Sequence, residues 1–360
     1  MTRHVILIAL TAFLCSCDRT TETSGAHSTA LSPASDSPAL AESKLDSDAI
    51  ASKSIELWDN TGARLQDFAE HCQRLESSVL QLLENPTESQ LQNTQQQWRQ
   101  LHGELRQLTM AMSLATRNPG LFTPLAQALG KIDRQPIAAG YLDSVEGYPN
   151  SGLINDISLE INHTTLRQQH GLTADNEASL GLHPLEFILF GETGQRSASD
   201  FARQTKSTPE LASVNQPQNR RRDYLALSGK LLCDDSAQLA RQWNDRQSAI
   251  AAPYFALTPP ARLQLWHTLL AAEIDTLNHQ RQIHHCNFAP KGCDIRWRYR
   301  GLQGVLNAKD ALLPTLARQQ RSRWDEGVAA FNVALSAEPR NDAATQDAIA
   351  TLARALNDRD

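Results

Sequence analysis

LQDFAEHCQRLESSVLQLLENPTESQLQNTQQQWRQLHGELRQL, residues 65–108, decides the fold class. Leu65, Phe68, Cys72, Leu75, Val79 and Leu82 recur at alternating steps of three and four, which places them on one face of a helix. That helix is predicted from about residue 46 to 84 and stops at Asn85-Pro86. Thr87, followed three residues later by Gln90, forms a capping-box pattern, and a second stripe begins: Leu91, Thr94, Trp98, Leu101, Leu105, Leu108. Two long helices joined by so short a turn must be antiparallel neighbours.

Helical patterning returns over 221–245, 258–283, 295–311, 324–335 and 343–356, with Thr258 an apt cap before Pro259. Between 118 and 179 the pattern is broken by Pro119, Gly120, Pro136, Gly140, Gly147 and Pro149, with one helix expected over 154–169. Strict alternation is rare and the chain has only 17 glycines, so little or no sheet is expected. The expected architecture is all-α, with two packed helical bundles over 46–205 and 206–360. The polar stretch 195–219 is the natural linker. The six tryptophans, Trp98, Trp266 and Trp324 among them, fall on or beside apolar stripes and are expected in the core.

The chain opens with Arg3 and His4 and an apolar run from Val5 to Leu14, the length of a secretory core and too short to span a bilayer. Leu14-Cys15-Ser16-Cys17 resembles a bacterial lipobox, which makes residues 1–17 a signal peptide and Cys17 the lipidated residue; Cys15 is unusual in its slot, so ordinary signal-peptidase cleavage is the alternative. Asp18 resembles an inner-membrane retention signal, although inner and outer membrane both remain open. Residues 18–45 hold too little apolar surface to offset their ordering entropy and read as a flexible tether. Localisation is therefore expected at the cell envelope, facing the periplasm, with the membrane as a partner through the lipid anchor. A net charge of −6 offers no broad attraction to phosphate backbones, which excludes nucleic acid as the expected partner.

Export permits disulfides. Cys286 and Cys293 flank a turn-forming segment with Pro290 and Gly292 and are expected to pair. Cys72 and Cys233 are either a long-range staple or two small buried hydrophobes on helix faces.

The chemistry concentrates in Gly181-Leu182-His183-Pro184-Leu185-Glu186-Phe187-Ile188-Leu189-Phe190-Gly191. An imidazole and a carboxylate three residues apart on a helix share a face, so His183 and Glu186 can hold one divalent cation. A firm site needs further ligands, for which Asp143, Glu146 and His170 in the flanking irregular segments are candidates. The same spacing also suits a plain capping box, with His183 as N-cap, Pro184 at the first helical position and Glu186 at the third. His284 and His285 are weaker metal candidates, His279 reads as solvated, and Arg222 of the Arg220-Arg221-Arg222 run is a candidate for an anionic ligand. There is no His-Glu-x-x-His and no Gly-x-Ser-x-Gly.

The Gly-x-His-x-x-Glu core resembles the signature of the imelysin-like family. The Asn-Pro-Thr hairpin with Trp98, the Gly140-Tyr141-Leu142-Asp143 loop, the segment from Leu166 to Gly171 and the helix start at Arg220 also resemble that family. Phe288-Ala289-Pro290-Lys291-Gly292-Cys293-Asp294 keeps a Phe and an Asp of a family segment but lacks its serine. The resemblance implies two packed four-helix-bundle-like domains with the His/Glu motif near their junction. It also implies a group classed as metallopeptidases, some members of which are iron-regulated or belong to iron-uptake systems. The leading expectation is thus an envelope lipoprotein that binds a metal ion, iron or zinc, or a metal-containing ligand through His183 and Glu186. Iron-transport or redox proteins of the envelope would be its partners. The alternatives are a metallopeptidase using Glu186 as ligand or base, and a partner-binding scaffold without catalysis.

Overall fold

The stripe from Leu65 to Leu82 is buried along its whole length in α1 (Ser47–Glu84), a 38-residue helix. Thr87 caps α2 (Glu88–Gln107), its hydroxyl accepting from the Gln90 amide at 3.3 Å, and α2 folds back on α1 as expected. This computed structural model describes residues 47–209, 211–279, 288–289, 295–307, 318–338 and 341–357. The signal segment with Cys17, the tether, and the expected Cys286–Cys293 pair lie outside those residues, as do His284 and His285.

Short helices follow: α3 (Thr109–Met112), α4 (Leu114–Arg117), α5 (Pro119–Ile132), α6 (Ala139–Leu142), α7 (His163–Gln169) and α8 (Leu182–Phe190). Two 3₁₀ turns, Ala198–Phe201 and Ser213–Asn215, lie in the polar stretch before α9 (Pro217–Asn244). The chain continues through α10 (Ala252–Ala256), α11 (Pro259–His279), α12 (Arg296–Leu306), α13 (Arg318–Ser336) and α14 (Asp342–Asn357). Among the described residues there is no strand, only one isolated bridge between Val145 and Tyr148. No described helix is long and apolar enough to cross a membrane.

One expected helix is shorter than its pattern. Only His163–Gln169 of the 154–169 segment is helical, because Asn162 caps it by accepting from Thr165 N at 2.9 Å. Upstream, the carbonyls of Leu153, Ile154, Asp156 and Leu159 all turn to the Arg220 guanidinium at 2.7–2.8 Å, so they are committed to a side chain of α9 instead of to helical amides.

Residues Leu45–Asp360 cluster as one compact unit. Its main helix pair is α1 with α9, a wall that joins the chain before residue 205 to the chain after it. Cys72 and Cys233 are joined across that wall with Cα atoms 5.3 Å apart, which resolves the open choice in favour of the staple. Trp58 and Trp243 stack at 3.9 Å and each indole N–H donates to the other residue's carbonyl, at 2.9 and 3.0 Å. α12 lies on α2 where two glycines remove side chains: the Trp297 ring covers Gly103, and Gly301 sits against the Gln107 carbonyl. α13 and α14 pair at the C-terminal end, with α14 also on α11.

Candidate functional site

α8 is buried at every position, as expected of a helix apolar nearly all round. It starts at Leu182 with Gly181 as N-cap, so the capping-box alternative does not hold. Pro184 sits third, where its missing N–H removes no intrahelical bond. Gly181 has φ +103 and lies so close to the end of α5 that a Cβ would come within 2.7 Å of the Ile132 carbonyl oxygen. Glycine here serves both the left-handed backbone and the close approach. That approach brings the next residue of α5's exit, Asp133, to the motif histidine. Two side chains of α2 fix the other side: Trp98 Nε1 donates to Leu182 O at 2.8 Å and Gln95 Nε2 to Leu189 O at 2.9 Å.

His183 and Glu186 are both fully buried and do meet, with Nδ1 and Oε2 3.0 Å apart. The other ring nitrogen, Nε2, faces Asp133 Oδ1 at 3.2 Å, and Asp133 Oδ2 is in turn paired with Arg106 of α2. Glu186 Oε1 accepts from the backbone amides of Phe288 at 2.6 Å and Ala289 at 2.9 Å. The arrangement is a line: Arg106, Asp133, His183, Glu186, then the backbone amides of Phe288 and Ala289. With both ring nitrogens protonated its charges balance. Burial pushes the His183 pKa down, but the hydrogen bonds and charges of Asp133 and Glu186 outweigh it and the net shift is upward. Asp133 is also opposed by burial, yet Arg106 and His183 hold its carboxyl well below the usual range.

Beside this line opens a cleft of about 740 Å³, lined by Arg106 and Asp133 together with Leu105, Met112, Arg134, Asp175 and other residues of α2 to α5 and the loops that follow. Asp133 is 18% exposed where His183 is 0%, so the carboxylate stands between cleft and imidazole.

The other expected site residues go elsewhere. Asp143 is buried but committed to Arg221, at 2.7 and 3.1 Å, and to Arg196 at 3.3 Å. Glu146 is exposed on a turn whose amide donates to Glu192. His170 sits against α5's end, hydrogen-bonded to Gly130 O at 2.8 Å and, through Nδ1, accepting from the Leu180 amide at 3.2 Å. It braces the approach to the motif, with burial lowering its pKa. Arg222 donates to Phe201 O at 2.7 Å and does not line the cleft. His279 is exposed and bonded within its own helix, as expected. Asp133 and Arg106 were missed from sequence. The one trace of Arg106 is a charged residue directly after Leu105 on a buried stripe, and Asp133 leaves no trace.

The imidazole and carboxylates are nitrogen and oxygen donors of the kind iron and zinc accept. Yet the two carboxylates face opposite ring nitrogens, and Glu186 is already saturated by backbone amides. His183 and Glu186 therefore do not form the common chelate expected from their spacing. Among the described residues no group of three His, Cys, Asp or Glu side chains converges on one point. On the Asp133 side, His183 Nε2 and Asp133 Oδ1 amount to two donors. Such a pair suits an ion that brings ligands of its own and not a bare ion.

No curated protein matches the chain. Among solved structures, the chain is similar to a "putative iron-regulated protein A precursor" from Parabacteroides distasonis, with TM-score 0.54 and 13% identity over 87% of this chain and 94% of that one. At that identity the likeness concerns the fold. The family model described as imelysin, Peptidase M75, matches residues 62–358, which takes in the hairpin, the Gly181–Gly191 motif and the Phe288 segment. With the match extending over most of the chain, this protein belongs to the imelysin family.

Proposed function

We propose that this chain is an envelope-tethered binding protein of iron handling whose site takes a metal ion held in a small chelate. Asp133, at the cleft wall, is the protein's first donor; His183 Nε2, buried behind it, becomes the second only when the ion takes the place of its proton in the hydrogen bond to Asp133, and Glu186 positions the imidazole from behind by accepting Nδ1–H. The carrying observation is that Asp133 belongs both to the cleft wall and to the hydrogen bond on His183. The family membership, the lipobox-like Cys17 and the iron-regulated name of the structural relative support the setting. Envelope iron-transport or redox proteins are the partners this reading calls for.

A peptidase reading would need Glu186 to reach a water. Its side chain is fully buried and both of its oxygens are hydrogen-bonded, so the geometry gives that reading no support.

Titration calorimetry of the full chain with ferrous ion, zinc ion and ferric citrate tests the proposal, alongside His183→Gln and Asp133→Asn. Ferric citrate should bind the wild type, and each variant should weaken it by about tenfold or more. Equal binding by wild type and both variants, with circular dichroism showing them folded, would overturn it.

A further inference from the structure

Resting on the reading above, we infer that the backbone of Phe288 and Ala289 is the release element of the site: it is held more firmly when the ion is bound, and drawing it away lowers the affinity for the ion. The case starts from one carboxylate with two duties. Glu186 Oε2 meets His183 Nδ1 at 3.0 Å, while Oε1 accepts from the Phe288 and Ala289 amides at 2.6 and 2.9 Å. Successive amides turned on one oxygen make a small anion-binding nest. The two residues lie 102 and 103 positions along the chain from the glutamate that fills it. Glu186 is fully buried, and no lysine or arginine pairs with it among the described residues. A carboxylate so placed depends on its hydrogen bonds, so the amides are part of what keeps it behind the imidazole.

The Phe288 ring adds a second hold by packing on Phe187, with centroids 4.9 Å apart. Both holds come from α8, the helix that carries His183. Neither Phe288 nor Ala289 lines the cleft, so they stand at the opposite end of the line from Asp133. An ion that replaces the Nε2 proton brings more positive charge to the ring, which makes Nδ1–H a stronger donor. Glu186 is drawn to it and fixed in the position that the amides need. Linkage makes the effect reciprocal: a chain whose 288–289 backbone has been pulled off Glu186 holds the ion less tightly. Glu186 is thus a positioning residue for the ring and for this backbone at once. A protein that carries an ion must also give it up, and a partner that engages this backbone can empty the site without entering the cleft.

The test is hydrogen exchange by mass spectrometry over a peptide that spans Phe288 and Ala289, in the full chain, with ferric citrate, with metal-free citrate and with neither. Saturating ferric citrate should slow exchange there by about fivefold or more, and metal-free citrate should leave it unchanged. In the ligand-free chain Glu186→Gln, which keeps the shape but loses the charge, should exchange faster than wild type at the same amides. Phe288→Ala leaves the side chains of Asp133, His183 and Glu186 in place and removes the hold on Phe187. It should weaken ferric citrate binding by about fivefold or more in calorimetric titration. Exchange that bound ferric citrate does not alter, equal exchange in Glu186→Gln, or equal affinity in Phe288→Ala overturns the inference and leaves the metal reading standing. Equal protection by metal-free citrate overturns it too. No ferric citrate binding by the wild type removes the metal reading and this inference with it.

Discussion

Glu104 of α2 touches His71 of α1 with its Oε1, while its Oε2 is buried without a hydrogen-bond partner among the described residues. Burial pushes its pKa up to about 7, against the pull of the Arg74 charge and with Asp67 adding to the rise. A carboxyl raised in this way binds its proton more tightly folded than unfolded. Its stabilising contribution is complete below the unfolded pKa, near 4.5, and is lost as pH climbs through about 7. Glu104→Gln should therefore gain in melting temperature relative to wild type as pH is raised from about 5 to about 8. A difference that stays flat over that window would contradict the assignment. At this scale the sequence was informative where partners are local. His183 and Glu186 lie one turn apart and could be read together. Asp133 lies 50 residues from His183, and only the close approach of Gly181 to the end of α5 brings it there. Nothing in the residues around Asp133 announces that partner. The choice of ring nitrogen was equally illegible, since spacing fixes which face two side chains share and not which atoms are already engaged.

Elements were legible wherever a stripe of apolar residues met a single wall. α1, α2 and the C-terminal helices α11 to α14 begin or end close to where their patterns place them, because burial on one face is what those patterns record. The stretch between α6 and α7 was not legible for the opposite reason. Its order comes from one guanidinium, that of Arg220, which gathers four carbonyls from 61 to 67 residues away. The packing of α12 on α2 depends similarly on what is absent. A Cβ at Gly301 would lie 2.2 Å from the Gln107 carbonyl oxygen, a backbone atom that cannot step aside alone. Gly301→Ala should lower stability by about 1–3 kcal/mol, measured as an earlier urea midpoint, with α12 shifted off α2. An unchanged midpoint would show that the two helices are not in contact there.

For the whole molecule, the join that matters is α1 to α9, which ties residues far apart in the chain into one body. The Cys72–Cys233 bond closes a loop across a sequence separation of 161 residues and so removes a large share of the unfolded chain's freedom. Reduction, or a Cys72→Ala/Cys233→Ala double variant, is expected to cost about 2–5 kcal/mol in urea unfolding. Identical midpoints with and without reductant would mean that the bond contributes nothing. Sequence alone left this pair open, because a cysteine on an apolar stripe looks the same whether it packs or bonds.

The stacked indoles of Trp58 and Trp243 add something practical to that join. Two identical chromophores held face to face at 3.9 Å share their excitation, and the handed arrangement of the pair gives it an ultraviolet dichroic signature that neither ring has alone. Since one ring rides on α1 and the other on α9, the chain carries an intrinsic optical gauge of whether its two longest described helices are together. It requires no label and reads out in the native protein.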